Sequence, residues 1–233
     1  MRAVTDLHSH ILPGIDDGSA SPEESLAMLA TAADQGISLV AATPHFDPRS
    51  DTPEAFLARR NRAASLLLEK MGEGMPKLLL GAEVRYFRGI SESEALSLLT
   101  LEGGKALLLE LPGTPWPEEI WQELAIFRER TGIIPIIAHL DRYIGPFRTR
   151  GIPERLASLP VLVQANSGFF LRKTTASLAL RLLREDKIHL LGSDCHGIHS
   201  RKPDLGPALA KLQPWVDRIL DYEKTILPSW AVE

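Results

Sequence analysis

Short apolar runs recur along this chain at intervals that leave room for one helix between each pair. That rhythm limits the possible folds more than any other feature. Seven candidate strands cover residues 3–8, 37–42, 77–82, 105–111, 133–138, 161–165 and 188–192. Strands separated by amphipathic, helix-length stretches point to strand–helix repetition and a parallel sheet. The clearest helix opens at Ser21-Pro22-Glu23-Glu24, with Ser21 as N-cap, Pro22 at the first helical position and Glu24 completing a capping box. Gly36 is its expected stop. Further helices are expected over 53–71, 91–99, 117–130 and 175–185, loops over 112–117 and 201–207, and core leucines at 66–68 and 78–80. The 233 residues, 44% of them hydrophobic, suit one α/β domain over 1–233, built as a barrel of strand–helix repeats.

The polar residues that end these runs form a second pattern. His8 and His10 close the first run, and Asp17 lies on the loop after it. His45 follows the second run, Glu83 the third, and Glu110 sits near the end of the fourth. His139 ends the fifth, Gln164 and Asn166 the sixth, and Asp194 and His196 follow the seventh. In a parallel barrel all of these lie at the carboxyl ends of the strands, the face that carries the site in such folds. Residues two apart in a strand share a face, so His8 and His10 are expected to point the same way. Five histidines and four carboxylates offer nine ligands, more than one four- or five-coordinate ion can use. Two or three divalent ions with a bridging carboxylate or hydroxide can use them. Such centres suit phosphate-ester hydrolysis by attack of a metal-bridging hydroxide, with no covalent phospho-enzyme. Arg142 and Arg201 lie just downstream of two ligand groups and can hold phosphate in bidentate fashion.

Composition removes several other functions. A net charge of −4 and a pI near 6.0 lack the basic face that general nucleic-acid binding needs. No window has the unbroken apolar length of a membrane span. The opening Met1-Arg2-Ala3-Val4-Thr5-Asp6 lacks the apolar core of a signal peptide. The single cysteine, Cys195, excludes an intramolecular disulfide, and a cytoplasmic protein is expected. Cys195 also begins a Cys-x5-Arg pattern ending at Arg201, as in thiol-based tyrosine phosphatases. That chemistry needs a phosphate-wrapping loop that opens a helix, and Pro203, Gly206 and Pro207 argue against an immediate long one. Cys195 therefore reads as a bystander between ligands. His189 reads as a satisfied core residue in mid-strand and His199 as a solvated loop residue.

The motifs resemble those of the polymerase-and-histidinol-phosphatase (PHP) family: His-x-His, a later His, a Glu, another His and a final Asp-x-His. Within it, the chain is similar to the CpsB-type bacterial protein tyrosine phosphatases of capsule and exopolysaccharide systems. The residues that carry the likeness are the run from His8-Ser9-His10 to Asp16-Asp17-Gly18, then Glu23-Glu24-Ser25, Thr43-Pro44-His45 and Gly81-Ala82-Glu83. It continues through Leu109-Glu110, Ala138-His139, Arg142-Tyr143, Gln164-Ala165-Asn166, Ser193-Asp194-Cys195-His196 and Arg201-Lys202-Pro203.

The resemblance implies a distorted (β/α)7 TIM-like barrel of the PHP type and a trinuclear Mn²⁺ centre. Fe, Zn, Mg or Co remain open, since His/carboxylate sites accept several metals. By the same resemblance, His8, His10, Asp17, His45, Glu83, Glu110, His139, Asp194 and His196 match the metal positions, and Arg142 and Arg201 the phosphate-holding ones. The implied partner is the phosphotyrosine tail of a bacterial tyrosine kinase regulating capsule or exopolysaccharide synthesis. One departure is His139-Leu140-Asp141-Arg142-Tyr143, where the family commonly reads His-Pro-Glu-Arg-Tyr. Asp141 is shorter than Glu, which leaves open both its role in orienting Arg142 and the level of activity. Two other functions stay open: a histidinol-phosphatase-like enzyme acting on small phosphate esters, and a non-catalytic metal-binding module. The oligomeric state is also open.

Overall fold

Each of the seven apolar runs contributes to a parallel sheet in the computed structural model, which describes residues 4–144 and 151–232. Residue 3, where the first expected strand begins, lies outside them. The order is β1 (Thr5–Ser9), α1 (Pro22–Asp34), β2 (Leu39–Ala42), β3 (His45–Phe46), α2 (Pro53–Leu68), β4 (Lys77–Leu80), β5 (Glu83–Arg85), β6 (Ala106–Glu110), α3 (Glu118–Thr131) and β7 (Ile134–Ile137). Then come α4 (Leu140–Tyr143), α5 (Ile152–Leu156), β8 (Leu162–Asn166), α6 (Ser167–Leu171), α7 (Ala176–Arg184), β9 (Leu190–Gly192), α8 (Leu205–Lys211), α9 (Val216–Ile226) and α10 (Ser229–Val232).

The expected strands over 37–42 and 77–82 appear as β2 and β4, and each is followed by a short strand that was not expected, β3 and β5. Thr43-Pro44 separates β2 from β3, and Gly81-Ala82 separates β4 from β5. Pro44 has no N–H to give a ladder. A side chain at Gly81 would meet Leu101 at 2.8 Å, so the chain narrows there. Hydrogen bonds nevertheless carry the pairing across both breaks, from Gly81 N–H to the Ala42 carbonyl (2.9 Å) and from Glu83 N–H to that of Pro44 (3.0 Å). The result is two sheets, β1-β2-β4 and β3-β5-β6-β7-β8-β9, with every described pairing parallel.

The outer edges of these sheets approach each other. Ser9 bridges to Cys195, Asp194 N–H donates to the His8 carbonyl (2.8 Å), and His10 N–H donates to that of Cys195 (2.9 Å). Glycine makes the approach possible, because a Cβ at Gly192 would lie 2.5 Å from His8 Cβ. The fold is a mixed α/β one with a curled parallel sheet. Both faces are apolar, as period-2 alternation in a doubly covered sheet requires. Leu7, Leu39, Ala41, Leu79, Leu108, Ile136 and Leu190 form one cluster, closed by Ile226 and Leu227. Their neighbours Val40, Ala42, Leu107, Leu109, Ile137 and Leu191 pack in the larger cluster with the helices, among them Met28, Leu67, Phe127 and Leu183.

α1 begins as expected: Pro22 follows Ser21, whose side chain accepts the Glu24 N–H (3.2 Å). The helix expected over 91–99 is instead two 3₁₀ segments, Ile90–Glu92 and Glu94–Leu98, interrupted at Ser93 (ψ 115°). Serine side chains offer local alternatives to helical bonding, and Glu123 here accepts the Ser91 N–H (3.2 Å). The expected loop over 201–207 already enters α8 at Leu205. Pro207 lies in the first turn, where no N–H is needed, and Gln35 accepts the Gly206 N–H (2.9 Å). Helix α9 had no counterpart in the sequence reading. Of the leucines at 66–68 only Leu67 is buried, with Leu66 and Leu68 about half exposed. His189 precedes β9 rather than lying within it, and its Nδ1 accepts the Val163 N–H (3.0 Å), so it is a satisfied core residue. His199 is exposed. No helix among the described residues is long and apolar enough to cross a membrane.

α9 carries a buried acid. Glu223 accepts the Thr5 N–H at the start of β1 (3.2 and 3.3 Å), and burial pushes its carboxyl from 4.5 up to about 8. A carboxyl raised on folding keeps its proton longer in the folded than in the unfolded chain. Its contribution is complete below about pH 4.5 and is lost as pH rises toward 8, a swing on the order of 5 kcal/mol. Glu223→Gln is expected to flatten the fall in thermal midpoint between pH 5.5 and 9 and to exceed the parent protein at pH 9. Equal slopes for the two proteins would remove this assignment.

Candidate metal centre

The donors that close separate strands in sequence meet on one rim of the sheet. His8 lies in β1 and His10 just beyond it, facing the same way with their Nε2 atoms 3.2 Å apart. Glu83, the first residue of β5, stands between the imidazoles. Its Oε2 lies 3.3 Å from His8 Nε2, 3.2 Å from His10 Nε2 and 2.9 Å from His45 Nδ1, and its Oε1 lies 2.8 Å from His139 Nε2. Glu110 ends β6 with Oε1 3.7 Å from the same His139 nitrogen. Asp194 Oδ1 is 3.5 Å from both His8 Nε2 and His10 Nε2. Asp17, 65% exposed, reaches His45 Nε2 (3.4 Å) and His196 Nε2 (3.5 Å). All nine sequence-predicted ligands are thus drawn together.

Three groups have donor atoms close enough to share an ion: His10, Asp17, His45 and His196; His8, His10 and Asp194; and His45, Glu83 and Glu110. Whether they fit cations can be tested on the buried atoms. Glu83 Oε2 and His196 Nε2, both facing this cluster, are two of only four buried side-chain polar atoms without a hydrogen bond among the described residues. Leaving such atoms unpaired costs about 1–3 kcal/mol each. Glu83 Oε2 is near three ring nitrogens yet bonded to none, as expected of lone pairs aimed at a shared cation. The donor set fits divalent metal.

Charge bears this out. Burial pushes the Glu83 carboxyl up, but His8, His10, His139 and His45 outweigh it and hold Glu83 well below its usual range. Asp194 is also held low, burial being outweighed by His8, Arg142, His10 and Arg201. Burial pulls His10 down, yet Asp16 and Glu83 raise it to about 10. Burial, His10 and Arg201 depress His196 to about 4. The rim concentrates buried carboxylate charge that either protons on histidine or metal ions must balance.

Both sequence-predicted arginines reach the rim. Arg142 Nη2 lies 2.5 Å from Asp194 Oδ2 and Arg201 Nη2 2.7 Å from Asp194 Oδ1, so they grip opposite oxygens of one carboxylate. Their side chains remain 38% and 41% exposed, which leaves donors for a ligand arriving from solvent. Next to Arg142, the Tyr143 hydroxyl accepts the Leu111 N–H (2.8 Å) and donates to the Leu111 carbonyl (3.0 Å), which anchors α4 to the end of β6. Asp141 accepts the Asn166 N–H (3.0 Å) and ties α4 to β8. Four non-glycine residues among the described ones have positive φ, and three are His139, Asp194 and Arg201. Such backbone is costly and tends to collect at functional positions.

The residues behind these donors carry no role in the sequence reading, although it places Gln164 and Asn166 on this rim. Gln164 accepts the His139 N–H (2.6 Å) and lies 3.4 Å from His8 Nδ1, and Asn166 donates to Asp194 Oδ2 (3.0 Å). Asp16 pairs with His10 Nδ1 at 2.8 Å. The available signal was two polar side chains ending an apolar strand and a second aspartate beside Asp17. Cys195 is fully buried, and burial together with Asp6 pushes its thiol well above the ordinary range.

Fold and donor set define a class: α/β proteins able to gather divalent metal at the carboxyl ends of a curled parallel sheet. The chain belongs to the CpsB/CapC family of capsular polysaccharide synthesis, whose model matches residues 4–228. It is 32% identical to tyrosine-protein phosphatase YwqE of Bacillus subtilis over 95% of this chain and 89% of that one. It is 28% identical to tyrosine-protein phosphatase CpsB of Streptococcus pneumoniae over 86% of each chain. Among solved structures it is similar to one from a study of YwqE and S. pneumoniae CpsB, described as unique metal-dependent tyrosine phosphatases. That match has a TM-score of 0.73 and 26% identity, covering 91% of this chain and 87% of the other.

Proposed function

We propose that this protein is a metal-dependent tyrosine-protein phosphatase. The observation that carries the reading is the meeting of eight residues in three donor groups, with His139 against Glu83 and two half-exposed arginines on the same rim. Family membership supports it, since the curated relatives are tyrosine-protein phosphatases. In this reading His8, His10, Asp17, His45, Glu83, Glu110, His139, Asp194 and His196 hold two or three divalent ions, taken to be Mn²⁺. Such ions supply charge neutralisation at a phosphoryl group and activation of water near neutral pH. Arg142 and Arg201 bind and orient the phosphoryl oxygens through charge-assisted hydrogen bonds. Buried Gln164 and half-buried Asn166 keep His139 and Asp194 in place while substrate exchanges. Tyrosine leaves as a phenolate, whose conjugate acid has a pKa near 10, so little acid assistance is needed.

The finer parts of the reading rest on the resemblance. The curled sheet is taken as a distorted seven-stranded barrel, supported by the contacts between Ser9 and Cys195, and the family match over 4–228 supports a single domain. The substrate is taken as the phosphotyrosine tail of a bacterial tyrosine kinase in the cytoplasm, which suits a family named for capsule synthesis. The Mn²⁺-loaded protein is expected to hydrolyse a phosphotyrosine peptide at least tenfold more efficiently, by kcat/KM, than histidinol phosphate or a sugar phosphate. A reversed preference would favour a small-ester phosphatase. Absence of turnover at full metal occupancy would leave only a binding module.

A further inference from the structure

One carboxylate that belongs to none of the donor groups touches two of the nine donor residues and shapes the turn that carries a third. Asp16 Oδ2 lies 2.8 Å from His10 Nδ1 and accepts the His45 N–H at 3.0 Å, while Oδ1 accepts the Gly18 N–H at 3.0 Å. Its side chain is 7% exposed and that of His10 fully buried. The turn it fixes carries Asp17 and packs hard on the strand end. Ser19 N–H donates to the His10 carbonyl (3.0 Å), and a Cβ at Gly18 would come within 2.2 Å of that oxygen. His10, Asp17 and His45, with His196, make up a single donor group. Asp16 therefore connects with three of the four members of one group.

We propose that Asp16 is a positioning residue for that metal position: it fixes the proton of His10 on Nδ1, which turns the Nε2 lone pair toward the donors, and holds Asp17 and His45 in register with it. The inference rests on the reading of this cluster as a metal centre. An imidazole that ligates through one nitrogen needs its other N–H accepted, and a carboxylate does so while making the ring more basic.

Asparagine separates this role from a merely structural one. Asp16→Asn keeps the size of the side chain and can still accept one backbone N–H. Its amide cannot satisfy His10 Nδ1–H, His45 N–H and Gly18 N–H together, because one of its two ends is a donor. Mn²⁺ affinity is to be measured by competition with a fluorescent chelator in the parent protein, Asp16→Asn and Asp16→Ala, with circular dichroism and thermal midpoints as a check of folding. Both variants are expected to weaken the most labile Mn²⁺ by roughly 10- to 100-fold while the remaining ions stay bound. Parent-like Mn²⁺ affinity in Asp16→Asn would overturn the proposal. A second measurement does not depend on the variants folding: ¹⁵N–¹H spectra of the Zn²⁺-loaded parent protein should show the His10 proton on Nδ1. A proton on Nε2 instead would overturn it. Because neither readout is turnover, a protein that binds Mn²⁺ as described but leaves phosphotyrosine intact would refute the phosphatase reading alone. A parent protein with no Mn²⁺ binding would refute both.

Discussion

Arg142→Ala and Arg201→Ala are each expected to lower kcat/KM on a phosphotyrosine peptide by about 10²- to 10³-fold, the usual scale for removing one donor that stabilises transition-state charge. Metal content by elemental analysis is expected to stay at the parent level in both. The structure makes this a demanding test, because each arginine grips an oxygen of Asp194. If their purpose were to hold that carboxylate, Asp194 would lose its orientation in the variants and metal would be lost with activity. Asn166 opposes that outcome by donating independently to Asp194 Oδ2 (3.0 Å), and the backbone fixes the residue through its N–H on the His8 carbonyl (2.8 Å). The contrast is Asp194→Ala or His10→Ala, expected to release metal as well as activity. An Arg142→Ala protein as depleted of metal as Asp194→Ala would show that the arginines serve the ligands rather than the phosphate.

How much of this could be read from the chain alone depends on whether the determinant was local. Strand positions were readable because a sheet covered on both faces needs unbroken apolar runs, such as Ala106 to Leu109, and these are visible without knowing their partners. The rim followed, since His139 or Asp194 can only stand where its strand ends. The short strands β3 and β5, beyond Pro44 and Gly81, were harder to see, because they are held by ladder bonds between distant segments. Proline at 207 was misread as a breaker because its effect depends on whether it falls in the first turn of a helix or later. Gln35, 171 residues away, supplies the acceptor that lets α8 begin there. Gln164 and Asn166 were visible as polar ends of an apolar strand, but their roles, like that of Asp16, depend on bonds to groups distant in the chain.

The metal and thiol chemistries make opposite predictions for one preparation, and that comparison bears most directly on the account. In the metal reading, ions held by the nine donors would supply both charge stabilisation at the phosphoryl group and an activated water, each worth on the order of several kcal/mol of barrier, so their removal would cost both. The buried Cys195 thiol, pushed well above its ordinary range by burial and Asp6, offers no thiolate in exchange. Hydrolysis of one phosphotyrosine peptide is to be measured for the parent protein and Cys195→Ser, before and after chelation and again after adding Mn²⁺. The account predicts that chelation reduces the rate by at least 10³-fold in both proteins, that Mn²⁺ restores it, and that Cys195→Ser keeps most of the parent rate. A chelator-resistant rate that Cys195→Ser abolishes would contradict it.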